Sequence, residues 1–298
     1  MGAQAAGLGP VDPEAQREYD GFGPWMLPVR QLEDMPQRFR TCYPEHAQAP
    51  FLLKLPRPEE RRNLAPGMDL YLAVLAVHET EVVLMRQEGT GLQVLRCPCA
   101  AIQAIRVFQH LLHGRLELLT ADGTRFGLDY NGSSQEVIDQ VVGFLRQRLP
   151  GPGERGRAVV QEQVPVPDFC FQTALAEQRR LQPECRVLHA EPMGRGCRDL
   201  LLRRALYLGL LVLGTPRELI LVTQGKLARR SSREGALASE VLYVPWASLD
   251  GFQLLPTPAR RGGWQTLRLQ VGRHLWDVAL FEPEKLMRLL GRMGFPAR

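Results

Sequence analysis

The segments VLRCPCAAIQAI (residues 94–105) and VLYVPWASLDGF (residues 241–252) align without a gap, and Pro98 falls on Pro245. Both segments are rich in β-branched, aromatic and other apolar residues, which is typical of buried or half-buried strands. The alignment therefore indicates that one β-rich unit occurs twice in this chain, and it fixes how the flanking residues correspond.

Two apolar runs precede each of these segments. LYLAVLAV (70–77) and EVVLM (81–85) predict two strands joined by a short turn. LYLGLLVLG (206–214) and ELILVTQG (218–225) repeat this arrangement, with a turn at residues 215–217. The similarity thus extends upstream of the two aligned segments.

A hairpin is predicted after each segment. GRLELLTADGTRFGLDY (114–130) has its turn at residues 121–123, because Asp-Gly is a common hairpin turn sequence. WQTLRLQVGRHLWDVALF (264–281) is its counterpart, with a turn at Gly272. Each copy is therefore expected to contain at least five short antiparallel strands.

Each copy is predicted to end in a helix. The first helix spans residues 134–148 and is expected to begin with a capping box formed by Ser133 and Glu136. The second spans residues 283–293 and begins at a proline. Apolar stripes at helical spacing predict which side chains these helices bury: Val137, Val141, Phe144, Leu145 and the stem of Arg148 in the first, and Leu286, Leu289, Leu290 and Met293 in the second.

A unit of six or seven short antiparallel strands capped by one C-terminal helix resembles the pleckstrin-homology (PH) superfold. ELILVTQGK, VLYVPWASLDGF, TLRLQV and LWDVALF resemble, in order, strands of bacterial PH-like domains. The resemblance covers residues 200–296 best and residues 68–149 less closely. It implies a non-enzymatic module that binds lipid head groups, peptides or protein surfaces, and that often self-associates. It implies no particular ligand site.

The sequence therefore predicts a mainly β protein with two tandem PH-like barrels or sandwiches, each capped by one α-helix. The expected organisation is a flexible N-terminus (1–24), a first domain with an N-terminal extended segment (25–149), a linker (150–167) and a second domain (168–298). With 45% hydrophobic and 23% charged residues among 298, a fully disordered chain and a small disulfide scaffold are both excluded.

The net charge of +5 is unevenly distributed along the chain. Residues 1–66 and 67–150 carry net charges of −1 and −2, whereas residues 151–298 carry +8. Much of this excess falls in two predicted inter-strand loops of the second copy, which suit an anionic ligand because guanidinium groups pair with phosphate oxygens. These candidate ligand-binding residues are Arg229, Arg230, Arg233, Arg260 and Arg261.

The alternative interpretation of these arginines is a pair of solvated loops. Only three of the 37 basic residues are lysines, a bias that we attribute to a G+C-rich bacterial coding sequence. Nucleic acid is not the expected partner, since no RNP-type aromatic strand or basic recognition helix accompanies the arginines.

One group of possible metal ligands occurs in the first copy: Cys97, Cys99, His110 and His113. Cys97 and Cys99 align with Val244 and Trp246, which do not bind metal, so we expect both thiols to be buried core residues. No metal and no cofactor are predicted. The sequence also contains no GxSxG motif and no convincing Cys–His constellation.

We therefore expect a soluble, cytoplasmic bacterial protein without enzymatic activity, since no signal peptide or membrane span is apparent. The expected function is protein–protein interaction, scaffolding or self-assembly. The alternatives are peripheral binding to an anionic membrane through the arginine loops, and an enzyme with an unrecognised site.

Overall fold

The computed structural model describes residues 12–89, 91–151, 165–166, 169–191, 198–199, 204–205, 209–224, 238–256, 264–281 and 284–295. Most of its secondary structure is antiparallel β-sheet. The strands are β1 (Leu27–Pro28), β2 (Phe51–Pro56), β3 (Tyr71–Val77), β4 (Glu81–Glu88), β5 (Gly91–Pro98), β6 (Ile102–His110), β7 (His113–Thr120), β8 (Arg125–Asn131), β9 (Arg186–Glu191), β10 (Arg198–Asp199), β11 (Arg204–Ala205), β12 (Gly209–Gly214), β13 (Glu218–Gln224), β14 (Ala238–Pro245), β15 (Leu249–Pro256), β16 (Trp264–Val271) and β17 (His274–Phe281).

Among the described residues, five α-helices accompany the strands. They are α1 (Pro13–Asp20), α2 (Tyr43–His46), α3 (Gln135–Arg148), α4 (Phe169–Leu181) and α5 (Glu284–Arg292). None of the described helices combines the length and the apolar character that crossing a membrane requires.

The strands form a five-stranded sheet in the order β1-β2-β3-β4-β5, a seven-stranded sheet in the order β8-β7-β6-β14-β13-β12-β9, and a three-stranded sheet in the order β15-β16-β17. The two-residue strands β10 and β11 pair with each other. All the registers that are defined are antiparallel.

The same order of elements occurs twice. Strands β2 to β5, a 3₁₀ turn at residues 99–101, strands β6 to β8 and helix α3 form the first repeat. Strands β9 and β12 to β14, a 3₁₀ turn at residues 246–248, strands β15 to β17 and helix α5 form the second. The predicted alignment is confirmed, because β5 and β14 end at Pro98 and Pro245, and each is followed at once by the 3₁₀ turn.

The chain divides into two compact units, Met1–Arg96 and Cys97–Arg298. This division falls within β5, whereas the sequence analysis placed the boundary between the repeats at 150–167, most of which lies outside the described residues. The two boundaries differ because strands from both repeats form the seven-stranded sheet, which keeps β6 to β8 and the second repeat in one unit.

In the first unit, β2 to β4 bury an apolar core beneath the short helices that precede β2. Phe39, in a 3₁₀ helix at residues 37–42, and Met35, just before that helix, pack with Val74 and Met85. Within the predicted N-terminal extended segment, FLLKL (51–55) forms most of β2, which pairs along β3. Helix α1, whose first turn is capped by the Asp12 side chain, was not predicted.

In the second unit, one apolar core joins β12 to β17 with α5. Trp246 lies at its centre and is completely buried, with its ring centroid 5.8 Å from that of Phe295. The predicted stripe of α5 is confirmed, because Leu286, Leu289, Leu290 and Met293 are all buried in this core. Helix α4 in this unit was not predicted.

The start of α3 differs from the prediction. The Asn131 side chain accepts a hydrogen bond from the Ser133 backbone amide and caps a short 3₁₀ turn, after which α3 begins at Gln135. The predicted capping box of Ser133 and Glu136 is therefore wrong. The buried side of α3 is also shifted from the predicted stripe and consists of Ile138, Val141, Val142, Leu145 and Arg146.

Candidate functional site

The predicted anion-binding arginines do not fall on described parts of the chain. Arg229, Arg230 and Arg233 belong to residues 225–237, and Arg260 and Arg261 belong to residues 257–263. The structure does describe the residues on either side of the first segment. It connects Gln224, the last residue of β13, with Ala238, the first residue of β14.

An exposed apolar hairpin tip lies beside this point. Ala238 pairs with His110, the last residue of β6, and the tip between β6 and β7 consists of Leu111 and Leu112. Their exposed fractions are 52% and 66%. Leu111 has a φ of +53°, a left-handed conformation that costs a leucine energy because of its Cβ. The structure thus brings this tip and the ends of the basic segment to the same end of neighbouring strands in the seven-stranded sheet.

The tip is attached to the start of α3 through Gly132. The Gly132 amide donates a 2.8 Å hydrogen bond to the Leu112 carbonyl. A Cβ at Gly132 would lie 2.6 Å from the Leu111 carbonyl oxygen, so only glycine fits without a backbone shift. The orientation of the two leucines therefore depends on this close approach.

The four possible metal ligands of the first copy are not brought together. Cys97 and Cys99 both precede the start of β6, whereas His110 and His113 lie at its other end. With about 3.3 Å of rise per residue, the ends of β6 are roughly 25 Å apart. Among the described residues, no cluster of three or more histidine, cysteine or acidic side chains could hold a metal ion.

The two thiols are core residues, as their alignment with the second repeat predicts. Cys97, Cys99, Val244 and Trp246 occupy equivalent positions and are each at most 4% exposed. Burial raises the pKa of the Cys97 thiol to about 12. This thiol therefore stays protonated at neutral pH and is a poor nucleophile.

The two repeats join where β6 pairs with β14. The register places Val107 opposite Val241, and Leu242 opposite Arg106. Arg106 donates hydrogen bonds of 2.7 Å to Glu117 and 2.6 Å to Glu240, and both carboxylates are buried. One arginine thus bridges a strand of the first repeat to a strand of the second, and the guanidinium also lies 5.0 Å from the centre of the Trp276 ring.

A second contact between the repeats is a buried ion pair. Arg146 on α3 donates hydrogen bonds of 2.6 and 3.1 Å to Oε1 of Glu218 on β13, and both side chains are 4% exposed. Gln182 donates to the same carboxylate oxygen, and Gln178 accepts from Arg146. The helix of the first repeat is thereby tied to the sheet of the second.

The guanidinium of Arg146 also lies 4.1 Å from the centre of the Tyr243 ring. Burial by itself lowers the pKa of Arg146, but the Glu218 carboxylate and the nearby tyrosine hold it above its usual value. Burial raises the pKa of Tyr243, whose hydroxyl accepts a hydrogen bond from Gln178. The cluster therefore contains one ion pair, whose opposite charges neutralise each other, and uncharged polar groups. Such a cluster is suited to holding α3 in a fixed position against β13.

A cavity of about 530 Å³ opens next to this cluster, between α3, the end of α4 and the β12–β13 turn. Arg217 on its wall donates to the carbonyls of Gln147 and Leu149. The second cation on the wall, Arg146, is paired with Glu218. Both cations on the wall of this cavity are therefore already paired within the fold.

Several histidines take part in side-chain hydrogen bonds within the fold. His274 pairs through Nε2 with the Thr120 carbonyl at 2.9 Å, and His189 pairs with Glu191 at 3.0 Å. In the first unit, Nδ1 of His46 lies 2.9 Å from Nε2 of His78. Burial lowers the pKa of His46 and keeps its ring neutral.

The residues that join the repeats were not predicted from the sequence. Arg106, Glu240, Arg146 and Glu218 are charged residues within otherwise apolar strands or beside the apolar stripe of a helix. Such positions indicate a buried charge that needs a partner. Their pairing does not follow from the sequence, because the partners are 72 and 134 residues apart along the chain.

Comparison with known proteins finds no family model and no curated protein that matches this chain.

Proposed function

We propose that this chain is a non-enzymatic binding and scaffolding protein of the cytosol, built from two tandem PH-like units, that mediates protein–protein interaction or self-assembly. The observation that carries the proposal is the β6–β14 pairing. There, one copy of the unit is bound to another copy through the edge of a sheet, so the unit contains a surface that recognises protein.

The order of elements supports the PH-like assignment of each repeat. Four antiparallel strands, a 3₁₀ turn, three further strands and a C-terminal helix occur in both repeats. This order matches the resemblance noted for residues 200–296 and 68–149. Modules of this architecture present ligands and partners on their loops and strand edges.

The chemistry of the described side chains supports a role without catalysis. Burial raises the pKa of Cys185 to about 11 and that of Cys97 to about 12, which disfavours the nucleophilic thiolate. His189 and His274 are buried and hydrogen-bonded within the fold. These groups are more suited to holding elements together than to transferring protons to a substrate.

Sedimentation velocity of the full-length chain over a hundredfold range of concentration tests this proposal, with a pull-down by the immobilised chain alongside it. We expect either concentration-dependent association of the chain or a protein that is retained in proportion to the immobilised chain and released by the soluble chain. A chain that stays monomeric and retains no such protein would contradict the scaffolding function.

A second candidate function is peripheral binding to an anionic membrane. It is favoured by the exposed Leu111 and Leu112, which lie beside Ala238, where the segment containing Arg229, Arg230 and Arg233 ends. Apolar tips flanked by basic residues suit anionic bilayers, and each basic residue near the surface contributes about 1 kcal/mol.

Flotation with anionic and neutral vesicles at two salt concentrations tests this candidate. Binding that requires anionic lipid, weakens with salt and is lost in the double variant Arg230→Glu with Arg261→Glu would support it. The matched control reverses Arg62 and Arg288, which are exposed elsewhere. Binding that survives the first reversal, or is lost equally in the control, would remove the arginine loops from consideration.

A further inference from the structure

Among the described strands, β5 and β15 are both edge strands. β5 is the last strand of the five-stranded sheet, and β15 is the first of the three-stranded sheet. In the described ranges of the chain, no strand pairs with the outer edge of either. An unpaired strand edge presents free amide and carbonyl groups, which bind another strand unless the edge is protected.

These two edges correspond to the two edges that join the repeats. β5 occupies the place in the first repeat that β14 occupies in the second, because both end at the aligned prolines Pro98 and Pro245. By the same alignment, β15 in the second repeat corresponds to β6 in the first. Since β6 pairs with β14 inside the chain, β15 and β5 are the corresponding edges that no described strand covers.

We propose that a second copy of this chain docks head to tail, with its β15 edge on the β5 edge of the first copy, in the register of the internal β6–β14 pairing. This inference rests on the proposed scaffolding function, and it names the partner and the surface. A head-to-tail contact leaves one β5 edge and one β15 edge free at the ends, so it continues into longer assemblies or closes into a ring.

The expected register follows residue by residue from the internal junction. Val241 lies opposite Val107 there, which places Val94 opposite Leu254 of the second copy. Leu242 lies opposite Arg106, which places Leu95 opposite Gln253 of the second copy. The apolar pair Val241–Val107 of the internal junction thus corresponds to another apolar pair, Val94–Leu254, in the proposed contact.

The charged pair at the internal β6–β14 junction has uncharged counterparts on both β5 and β15. Glu240 accepts from Arg106 inside the chain. The aligned positions are Gln93 on β5 and Gln253 on β15. Because both partners of the ion pair have become glutamine, the proposed contact buries no unpaired charge, which would otherwise oppose it.

Apolar side chains on both strands are exposed or only partly buried, as expected for a surface that a second chain covers. Leu92 and Val94 on β5 are 37% and 42% exposed, although they are apolar residues on a strand of eight. Leu254 and Leu255 on β15 are only partly buried. Pro256, the last residue of β15, has no amide hydrogen, so the hydrogen-bonded ladder is expected to end at Leu255.

Disulfide cross-linking between two different single-cysteine variants tests the register. Val94→Cys chains and Leu254→Cys chains are oxidised separately and as a mixture, with the wild-type chain in parallel to account for the native cysteines. Opposite residues of antiparallel strands lie about 4.5–5.5 Å apart between Cα atoms, which is within reach of a disulfide. We expect a dimer that joins residues 94 and 254 in the mixture alone, identified by mass spectrometry of the linked peptides.

The matched control replaces Leu254→Cys with Leu255→Cys, whose side chain points to the other face of the strand. This mixture is expected to yield at least tenfold less of the linked dimer. A mixture that gives no 94–254 link, or gives the control link equally, overturns the inference. Val94→Cys chains that link efficiently to each other also overturn it, because they would indicate a symmetric β5–β5 contact.

Sedimentation velocity distinguishes this failure from a failure of the proposed function. We expect the wild-type chain to form oligomers larger than the dimer as its concentration rises. At the same total concentration, the ratio of monomer to oligomer should be at least tenfold higher for Val94→Lys than for wild type. Leu275→Lys, at an exposed apolar position on β17, serves as the control and should associate like wild type. Association that Val94→Lys leaves intact overturns the β5 contact while the scaffolding function stands.

Discussion

Val107 of the first repeat and Val241 of the second lie directly opposite each other in neighbouring strands of one seven-stranded sheet. The two repeats are therefore joined by a continuous hydrogen-bonded ladder rather than by a linker alone. The buried ion pair of Arg146 and Glu218 attaches the helix of the first repeat to the same sheet. Through these contacts, a strand of one repeat binds a strand of the other.

Replacing Arg146 with methionine is expected to destabilise the protein strongly. The change leaves the Glu218 carboxylate buried without its cation, and removing one partner of a buried pair costs about 3–5 kcal/mol. The double variant Arg146→Met with Glu218→Leu should recover at least half of this loss, because no charge remains buried. Urea unfolding measures both variants. A single variant as stable as wild type, or a double variant no better than the single, would contradict this role.

Trp246→Phe should lower the free energy of unfolding by about 2–3 kcal/mol. The indole Nε1 donates a 2.7 Å hydrogen bond to the Thr215 carbonyl, and both residues are fully buried. Phenylalanine removes this donor and leaves a small cavity. Trp25→Phe is the control, because Trp25 is 45% exposed. Thermal and urea unfolding should separate the two variants clearly, and equal effects would argue against the packing described for Trp246.

Gly132→Ala is expected to destabilise the protein by about 1–3 kcal/mol, because the added Cβ meets backbone atoms of the β6–β7 hairpin tip. Gly143→Ala is the matched control. It lies inside α3 with nothing within 4 Å of a Cβ, so alanine should stabilise the helix by about 0.5–1 kcal/mol. Opposite signs for the two substitutions are expected in unfolding experiments. A Gly132→Ala variant as stable as wild type would mean that the tip does not approach α3 closely.

Stability is expected to fall as the pH rises from 8 to 10. Burial raises the pKa of Cys97 to about 12 and that of Cys185 to about 11, whereas a thiol in the unfolded chain has a pKa of about 8.5. The contribution of each thiol is complete below the unfolded pKa and is lost as the pH rises towards the folded pKa. Each should account for a loss on the order of 1–2 kcal/mol by pH 10.

Urea unfolding at several pH values measures this loss. The variant Cys97→Ala with Cys185→Ala should have a flatter pH dependence than wild type, whatever its absolute stability. If the free energy of unfolding of this variant depends on pH as steeply as that of wild type, burial does not raise the pKa of these thiols in the folded protein.

The sequence predicted the elements of each repeat more completely than the relation between repeats. The aligned prolines Pro98 and Pro245 end strands at equivalent places, and the turns at residues 121–123 and at Gly272 occur as predicted. These features depend on local turn chemistry and on alternation of apolar residues, which can be recognised in a single segment. Helix α1, helix α4 and strand β2 were missed because their flanks are rich in proline or lack a clear apolar pattern.

The candidate interaction surfaces could not be predicted from the sequence alone. Whether Arg106 bonds to Glu240 depends on which strand lies next to β6, and strand order is a property of tertiary packing rather than of local sequence. The same is true of the free edges of β5 and β15. The sequence did, however, identify these edges indirectly, because the alignment of the two repeats is what relates β5 to β14 and β15 to β6.

The sharing of one sheet by both repeats is tested most directly by an intrachain disulfide. The full-length variant Val107→Cys with Val241→Cys is oxidised at low concentration, and its linked peptides are identified by mass spectrometry. We expect a link between residues 107 and 241 within a single chain. Phe108→Cys with Val241→Cys, in which the side chains face opposite sides of the sheet, should not form it. Absence of the 107–241 link, or equal linking in the second variant, would contradict the shared sheet.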